Sequence, residues 1–420
     1  MRLFKYKDFI KESKVDGSHF IPTYEDCVEM CSRDDSAFYE SKFVIDGFNI
    51  SVFNYRLAQY KDFVTPIENR PDVKAYEMRG LTFVFNTDGT LFKRFILLEK
   101  FFNINQVPET MYSVVKDYKI KFVNNKEDGS IASFIQLPNG RIIGKSKMGF
   151  DNEQANGINR IYKTREDIYS FVNWCIENNI IPIFEYVSPS NRIVLKYLKE
   201  DLILLRMRDS ITGKHIDIKD HLDKIGSIRI APFEDDMVDI DTLTEVVAKQ
   251  VDKEGVIVQT VDNTGKDFFF KIKTPWYCER HGLLTNDIYR EHIIIKYILE
   301  DKIDDILGQI PEDEVDAHNR INKIIHIIRE TLDKKVQELK KSYDVFLQMG
   351  RDRKAYAIKY YKKEPNFGYV MQMEKGVDPY ELAKNWVKDN TCKLIIAREF
   401  LKRRDPSLFF QEPDENDDDN

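Results

Sequence analysis

Five short stretches carry residue types that could act together on a phosphate. The first is Lys126-Glu127-Asp128-Gly129-Ser130. A lysine close to a glycine, which lets backbone approach a ligand, is a candidate covalent nucleophile. The second is Gly144-Lys145-Ser146-Lys147, where a two-residue step puts both lysines on one strand face. Phe184-Glu185-Tyr186-Val187 sets an acid between aromatics, and Glu254-Gly255-Val256-Ile257-Val258 opens an apolar run with another. The fifth, Phe270-Lys271-Ile272-Lys273, again pairs lysines on one face and leads to Trp276.

A lysine that attacks an α-phosphate must be unprotonated, against a reference pKa of about 10.4. Lys145, Lys147, Lys271, Lys273 and a metal ion would lower it through like-charge repulsion. The same cations would neutralise a triphosphate and the charge that develops in phosphoryl transfer. Carboxylates would hold Mg²⁺ or bind ribose hydroxyls. The chemistry is nucleotidyl transfer through a lysine–nucleotide phosphoramide.

Each stretch also has a plainer reading. Asp-Gly-Ser is common turn chemistry, and Lys-x-Lys on a strand is most often a solvated face. Five such stretches in this order are harder to assign to accident. Gly140-Arg141-Ile142-Ile143-Gly144-Lys145-Ser146 is one residue short of a P-loop and runs along a strand instead of opening a helix.

The elements that must position these residues are mostly strands. A helix is expected near 24–31, and a hairpin over 42–55 turning at Asp46-Gly47. Strands follow at 80–85, 91–98, 131–136 and 141–146, then a helix over about 164–178. Further strands are expected at 180–187, 193–197, 202–208, 255–261 and 267–272. Beyond about 286 the period becomes helical: Ile321, Ile324, Ile325, Ile328, Leu332, Val336, Leu339 and Tyr343 recur at three- and four-residue steps. Another helix is expected over 380–403, and the fold class is α+β with antiparallel strands followed by helices.

Composition agrees with a folded protein: 42% hydrophobic and 32% charged residues over 420 positions suit two or three domains. No apolar run approaches the roughly 20 residues that span a bilayer, and Met1-Arg2-Leu3-Phe4-Lys5 opens no signal peptide. A cytoplasmic location with no membrane partner is expected. Five scattered cysteines read as reduced thiols; Cys27 and Cys31 lack the second ligand pair of a zinc site. The formal charge of −7 falls to −1 once the six acids Glu412, Asp414, Glu415, Asp417, Asp418 and Asp419 are set aside. A near-neutral body permits a local basic groove for phosphates.

The ordered set resembles the covalent nucleotidyltransferases, the superfamily of ATP-dependent ligases and capping enzymes, and more closely the T-even phage RNA ligase 1 family. Further marks are Met78-Arg79-Gly80, Glu99-Lys100-Phe101-Phe102-Asn103, Ser188-Pro189-Ser190-Asn191-Arg192-Ile193-Val194, Lys271-Ile272-Lys273-Thr274-Pro275-Trp276-Tyr277 and Arg351-Asp352-Arg353-Lys354-Ala355-Tyr356-Ala357. The likeness covers roughly 40–360. Thr274-Pro275 stands where the family commonly has Ser-Asp, and the match thins after Pro365. With the boundary that the shift in composition after Cys278 places near 285, the resemblance implies an antiparallel-sheet nucleotidyltransferase domain over 1–285, with an N-terminal module at 1–105. A helical C-terminal domain at 286–410 and an acidic, disordered tail at 411–420 would follow.

By the same resemblance Lys126 would take AMP from ATP, Glu185 would contact the ribose, and Glu254 would bind Mg²⁺ or Mn²⁺. Lys271 and Lys273 would bind the α-phosphate and aid its transfer. Tyr55, Arg79, Lys100 and Lys147 would handle the ATP phosphates, while Phe102, Gly129 and Gly255 would help form the nucleotide pocket. AMP would then pass to a 5′-phosphate RNA end, and a 3′-hydroxyl would expel it. Expected partners are single-stranded RNA ends, in particular nicked tRNA anticodon loops, and a polynucleotide kinase-phosphatase. A capping-type guanylyltransferase and a non-catalytic RNA-end-binding protein are the rival readings.

Overall fold

The computed structural model describes residues 20–33, 36–189, 195, 197–234, 239–263, 265–280, 290–308, 310, 315–361 and 363–409. The expected strand at 193–197 falls largely outside these residues, as do the motif positions 190–194 and the acidic tail. The chain divides into two compact units, Met1–Gly282 and Leu283–Asn420. Among the described residues no helix is long and apolar enough to cross a membrane.

In the first unit the strands are, in chain order, β1 Phe38–Ile45, β2 Phe48–Tyr55, β3 Leu81–Phe85, β4 Leu91–Phe95, β5 Phe102–Asn103, β6 Lys119–Asn125 and β7 Ser130–Gln136. They continue with β8 Ile142–Ser146, β9 Ile180–Val187, β10 Asp201–Asp209, β11 His215–Ile216, β12 Phe233–Glu234, β13 Gly255–Val261 and β14 Asp267–Lys273. Three sheets result, in the orders β1-β2-β3-β4, β11-β10-β9-β7-β8 and β12-β6-β13-β14-β5. Pairing is antiparallel except for the short β5–β14 contact. The β1–β2 hairpin turns at Asp46-Gly47, both with positive φ (53° and 82°), the geometry that follows the strand twist.

One apolar core runs through the first two sheets and takes in Val52, Phe83, Phe134, Phe171, Phe184 and Leu204. A second lies against the third sheet around Val258, Phe270, Ile272, Leu243 and Val247. β6 belongs to the third sheet and β7 to the second, so the four residues between them cross from one sheet to the other. That crossing is Lys126-Glu127-Asp128-Gly129.

Two helical regions differ from expectation. Two helices stand around 150–178: Glu153–Thr164, which lies outside the expected helices, and Glu166–Glu177, which is the helix expected over about 164–178. The first has asparagines and a glycine in its interior, poor helix formers, but buries Ile158, Ile161 and Tyr162 and is capped by Asn152, whose side chain accepts from the Ala155 amide. Gly157 fits because Tyr186 Oη would stand 2.2 Å from an added Cβ. The single helix expected over 380–403 is two, Pro379–Asp389 and Leu394–Lys402.

The second unit is helical throughout its described length. Its long helix Val315–Gln348 buries Ile321, Ile324, Ile325, Ile328, Leu332 and Leu339, the three- and four-residue stripe legible in the sequence. It packs on Glu291–Leu299, Phe367–Met373 and Pro379–Asp389. The buried Glu291 carboxylate accepts from Arg320 and Arg398, and the Lys335 ammonium donates to Asn366 Oδ1 at 2.9 Å beneath the Trp386 ring.

Candidate active site

The crossing loop is held by hydrogen bonds at almost every step. Lys126 N donates to Gly255 O at 2.9 Å, Asp128 N to Tyr197 Oη at 3.1 Å, and Gly129 N to Glu185 Oε1 at 3.0 Å. The Asp128 carboxylate accepts from Tyr277 Oη at 2.9 Å and from Leu195 N at 2.7 Å. A fixed backbone leaves Lys126 with only side-chain freedom, which lowers the entropy of placing its amine. Gly129 is a glycine because an added Cβ would stand 2.4 Å from Tyr186 O of the neighbouring β9.

The loop opens on a cavity of about 420 Å³. Tyr55 from the end of β2 and Arg79, just before β3, line one side. Lys100 precedes β5, Lys147 follows β8, and Glu185 projects from β9. Lys271 and Lys273 face in together from β14, as their two-residue spacing requires. With Lys126 and Gly129, nine of the residues singled out by sequence line this one space.

Glu254 is 3% exposed and lies at the cavity's edge through its contacts. Its Oε1 stands 2.6 Å from Lys126 Nζ and 3.0 Å from Lys273 Nζ. Burial alone would raise this carboxyl; Lys126 and Lys273 outweigh it and hold the group below its ordinary range. Glu185 behaves oppositely. Burial lifts its carboxyl to about 8, with Lys126 opposing the rise, Glu254 adding to it and Arg79 opposing. Protein surrounds it closely, yet it keeps a half-buried surface because it faces the cavity.

Three residues stand elsewhere. Phe102 does not line the cavity; it is buried among Tyr60, Phe63 and Tyr76, and its neighbour Phe101 faces the cavity instead. Gly255 lies behind Glu254, where an added Cβ would meet Ile272 O at 2.2 Å. Lys145 does not share a face with Lys147 at the site. It is buried, its Nζ donates to Gly80 O at 3.1 Å, and desolvation pushes its amine down to about 7.

Sequence reasoning passed over other lining residues. Leu98, Ile131, Leu205 and Ile257 make an apolar wall, while Ser146, Asn152 and Gln154 add polar groups. Tyr197 and Tyr277 fix the loop from outside. A buried charge group stands behind Lys100: Arg208, Glu77, Glu99 and His215. Among the described residues no cluster of three or more His, Cys, Asp or Glu could hold a metal by protein donors alone.

Residues 77–277 match the profile of the RNA ligase family. A protein of Thermovibrio ammonificans named "Putative RNA ligase" is 26% identical over 299 residues, covering 69% of this chain and 74% of that protein. Among solved structures, an archaeal ATP-dependent RNA ligase overlays with a TM-score of 0.45 at 11% identity, over 76% of this chain and 78% of that one. A Naegleria gruberi RNA ligase with PPi gives 0.34 at 16% identity, over 44% and 57%. The family match runs from before Arg79 to beyond Lys273, so that stretch of the chain, 77–277, is similar to the RNA ligase family.

Proposed function

We propose that this chain is an ATP-dependent ligase that joins 5′-phosphate and 3′-hydroxyl ends of single-stranded RNA through AMP carried on Lys126. The observation that carries the reading is the contact of Lys126 Nζ, within a cavity lined by Arg79, Lys100, Lys147, Lys271 and Lys273, with the buried Glu254. A surface hairpin lysine would have neither the buried carboxylate nor the ring of cations.

In the first step the Lys126 amine attacks the α-phosphorus; the N–P bond forms, the bond to the β-phosphate oxygen breaks, and pyrophosphate leaves. Attack needs the lone pair, so Lys126 must shed a proton before the N–P bond forms, with Glu254 Oε1 at 2.6 Å in place to accept it. Lys271 and Lys273 then face the α-phosphate and offset charge on its oxygens. Glu185, protonated up to about 8, can donate to or accept from ribose hydroxyls. The apolar wall of Leu98, Ile131, Leu205 and Ile257 suits a nucleobase.

The residues fit a divalent cation of the Mg²⁺ or Mn²⁺ kind. Glu254, whose carboxyl Lys126 and Lys273 hold below its ordinary range, offers carboxylate oxygens, and hard cations commonly take one or two carboxylates plus phosphate oxygens. Such an ion, bound, would neutralise phosphate charge. In the second and third steps a 5′-phosphate oxygen displaces Lys126 from AMP, and a 3′-hydroxyl then expels AMP. Broken tRNA loops, with a kinase-phosphatase preparing their ends, are the substrate and partner this reading carries.

The test is covalent labelling with ATP bearing a labelled α-phosphate, beside labelled GTP and Lys126→Ala. An acid-labile adduct with ATP alone, absent in Lys126→Ala and chased into nicked RNA, is expected. An adduct with GTP alone would replace this reading with a capping enzyme. No adduct from folded protein free of bound AMP would leave a non-catalytic RNA-end binder.

A further inference from the structure

Arg208 on β10 is wholly buried and lies outside the cavity lining, yet it grips the two segments that bring Arg79 and Lys100 to the cavity wall. We propose that Arg208 is a positioning residue that sets the spacing of Arg79 and Lys100 for a bound triphosphate, an inference that rests on the ATP-site reading above.

Its guanidinium meets Glu77 twice, Nη2 to Oε1 at 2.6 Å and Nη1 to Oε2 at 3.0 Å. Nη1 also stands 3.2 Å from Glu99 Oε2 and donates to Leu97 O, while Nε donates to Gly213 O at 2.9 Å. Glu77 is two residues before Arg79, and Glu99 is the residue before Lys100. The same two segments touch directly: Lys100 N donates to Tyr76 O at 2.7 Å, and Arg79 Nη1 to Leu98 O at 3.4 Å. His215, the cross-strand partner of Arg208, adds a second grip on Glu99 at 3.1 Å.

No sheet ladder does this work. β3 begins at Leu81, β4 ends at Phe95 and β5 begins at Phe102, so 77–79 and 97–100 both lie outside strands. Besides Arg208, two backbone-directed hydrogen bonds join them directly. A buried Arg–Glu–Glu group costs desolvation that apolar packing would avoid, so stability alone is a poor reason for it. Fixed cations, by contrast, meet a polyanion without reorganising, which strengthens each contact. A planar fork that binds two carboxylates is a geometry lysine cannot reproduce.

The test is equilibrium binding of α,β-methylene-ATP, which cannot transfer AMP, and of adenosine. Wild type is compared with Arg208→Lys, and with Glu77→Gln in case the first variant does not fold. Arg208→Lys should weaken the triphosphate about tenfold and adenosine less than about twofold, with Glu77→Gln between, as expected for coupling through shared partners. In an Arg79→Ala, Lys100→Ala background the Arg208→Lys effect on the triphosphate should vanish. Equal weakening of both ligands, or an unchanged triphosphate affinity in folded Arg208→Lys and Glu77→Gln, would overturn the inference alone. Failure of the wild type to bind the triphosphate would overturn the ATP-site reading and take this one with it.

Discussion

Lys126 and Lys273 share one acceptor: their Nζ atoms lie 2.6 and 3.0 Å from the same oxygen of Glu254. Two ammonium groups around one buried carboxylate explain why its acidity is strengthened against the pull of burial. The arrangement also couples Lys126, the proposed nucleophile, to a lysine proposed to meet the α-phosphate.

Glu254→Gln should therefore damage both fold and chemistry. It leaves two ammonium groups facing a neutral amide, and breaking a buried pair costs about 3–5 kcal/mol. Adenylylation should fall at least about 100-fold, the scale for losing an electrostatic contact in a closed site. Urea unfolding and AMP labelling on one preparation check this. Wild-type values in both would show that the shared acceptor is incidental.

Glu185→Gln gives a pH signature. The carboxyl sits near 8 in the fold and near 4.5 when unfolded, so between these values the folded state binds the extra proton. Its contribution to stability is complete below about 4.5, drains away as pH rises, and levels off above about 8. The glutamine keeps an oxygen for Gly129 N and has no such loss. The urea midpoint of the variant should thus gain on wild type steadily from pH 5 to pH 8.5. Parallel curves would mean the carboxyl titrates normally.

How far the sequence disclosed this site depends on which physical signal placed each residue. The period of two put Lys271 and Lys273 on one face, and the crossing loop announced itself by residue type. The same period misled at Lys145 and Lys147: β8 ends at Ser146, so strand alternation stops before Lys147. Phe101 and Phe102 could not be told apart, because β5 is two residues long and its direction is set by a partner 168 positions on, the Phe102–Phe270 pairing. The helix Glu153–Thr164 was hidden by weak propensity that burial of Ile158 and Ile161 overrides. Arg208 reaches Glu77 and Glu99 across more than 100 residues of chain, which no local pattern records.

Lys145→Met tests the buried amine. Its pKa is about 7 in the fold against 10.5 when exposed, so from pH 7 to 10.5 the unfolded chain holds the extra proton. Wild-type stability should rise with pH across that window, whereas the methionine variant lacks that contribution. Loss of the bond to Gly80 O lowers the variant at every pH by a constant amount. The readout is therefore the slope of the difference between the two proteins, which thermal melts at pH 7 and pH 10 supply. A difference that does not change with pH would refute the depressed amine.

Gly255→Ala should separate the carboxylate from its lysine. Gly255 holds φ at 151°, and an added Cβ would stand 2.2 Å from Ile272 O and 2.7 Å from Lys273 Cα. Both neighbours are backbone of β14, so neither can swing aside. Relief must come from prising β13 from β14 at the Gly255–Lys273 pair. Glu254 sits one residue before that point, so its 3.0 Å contact with Lys273 should lengthen. Strain of this kind costs about 1–3 kcal/mol. Adenylylation should fall more steeply than stability, because the displaced pair is the one proposed to act in the reaction. Gly265→Ala, where nothing lies within 4 Å of an added Cβ, controls for a glycine-to-alanine change at positive φ. If the two variants label with AMP equally well, close approach of β13 and β14 is not what Gly255 provides.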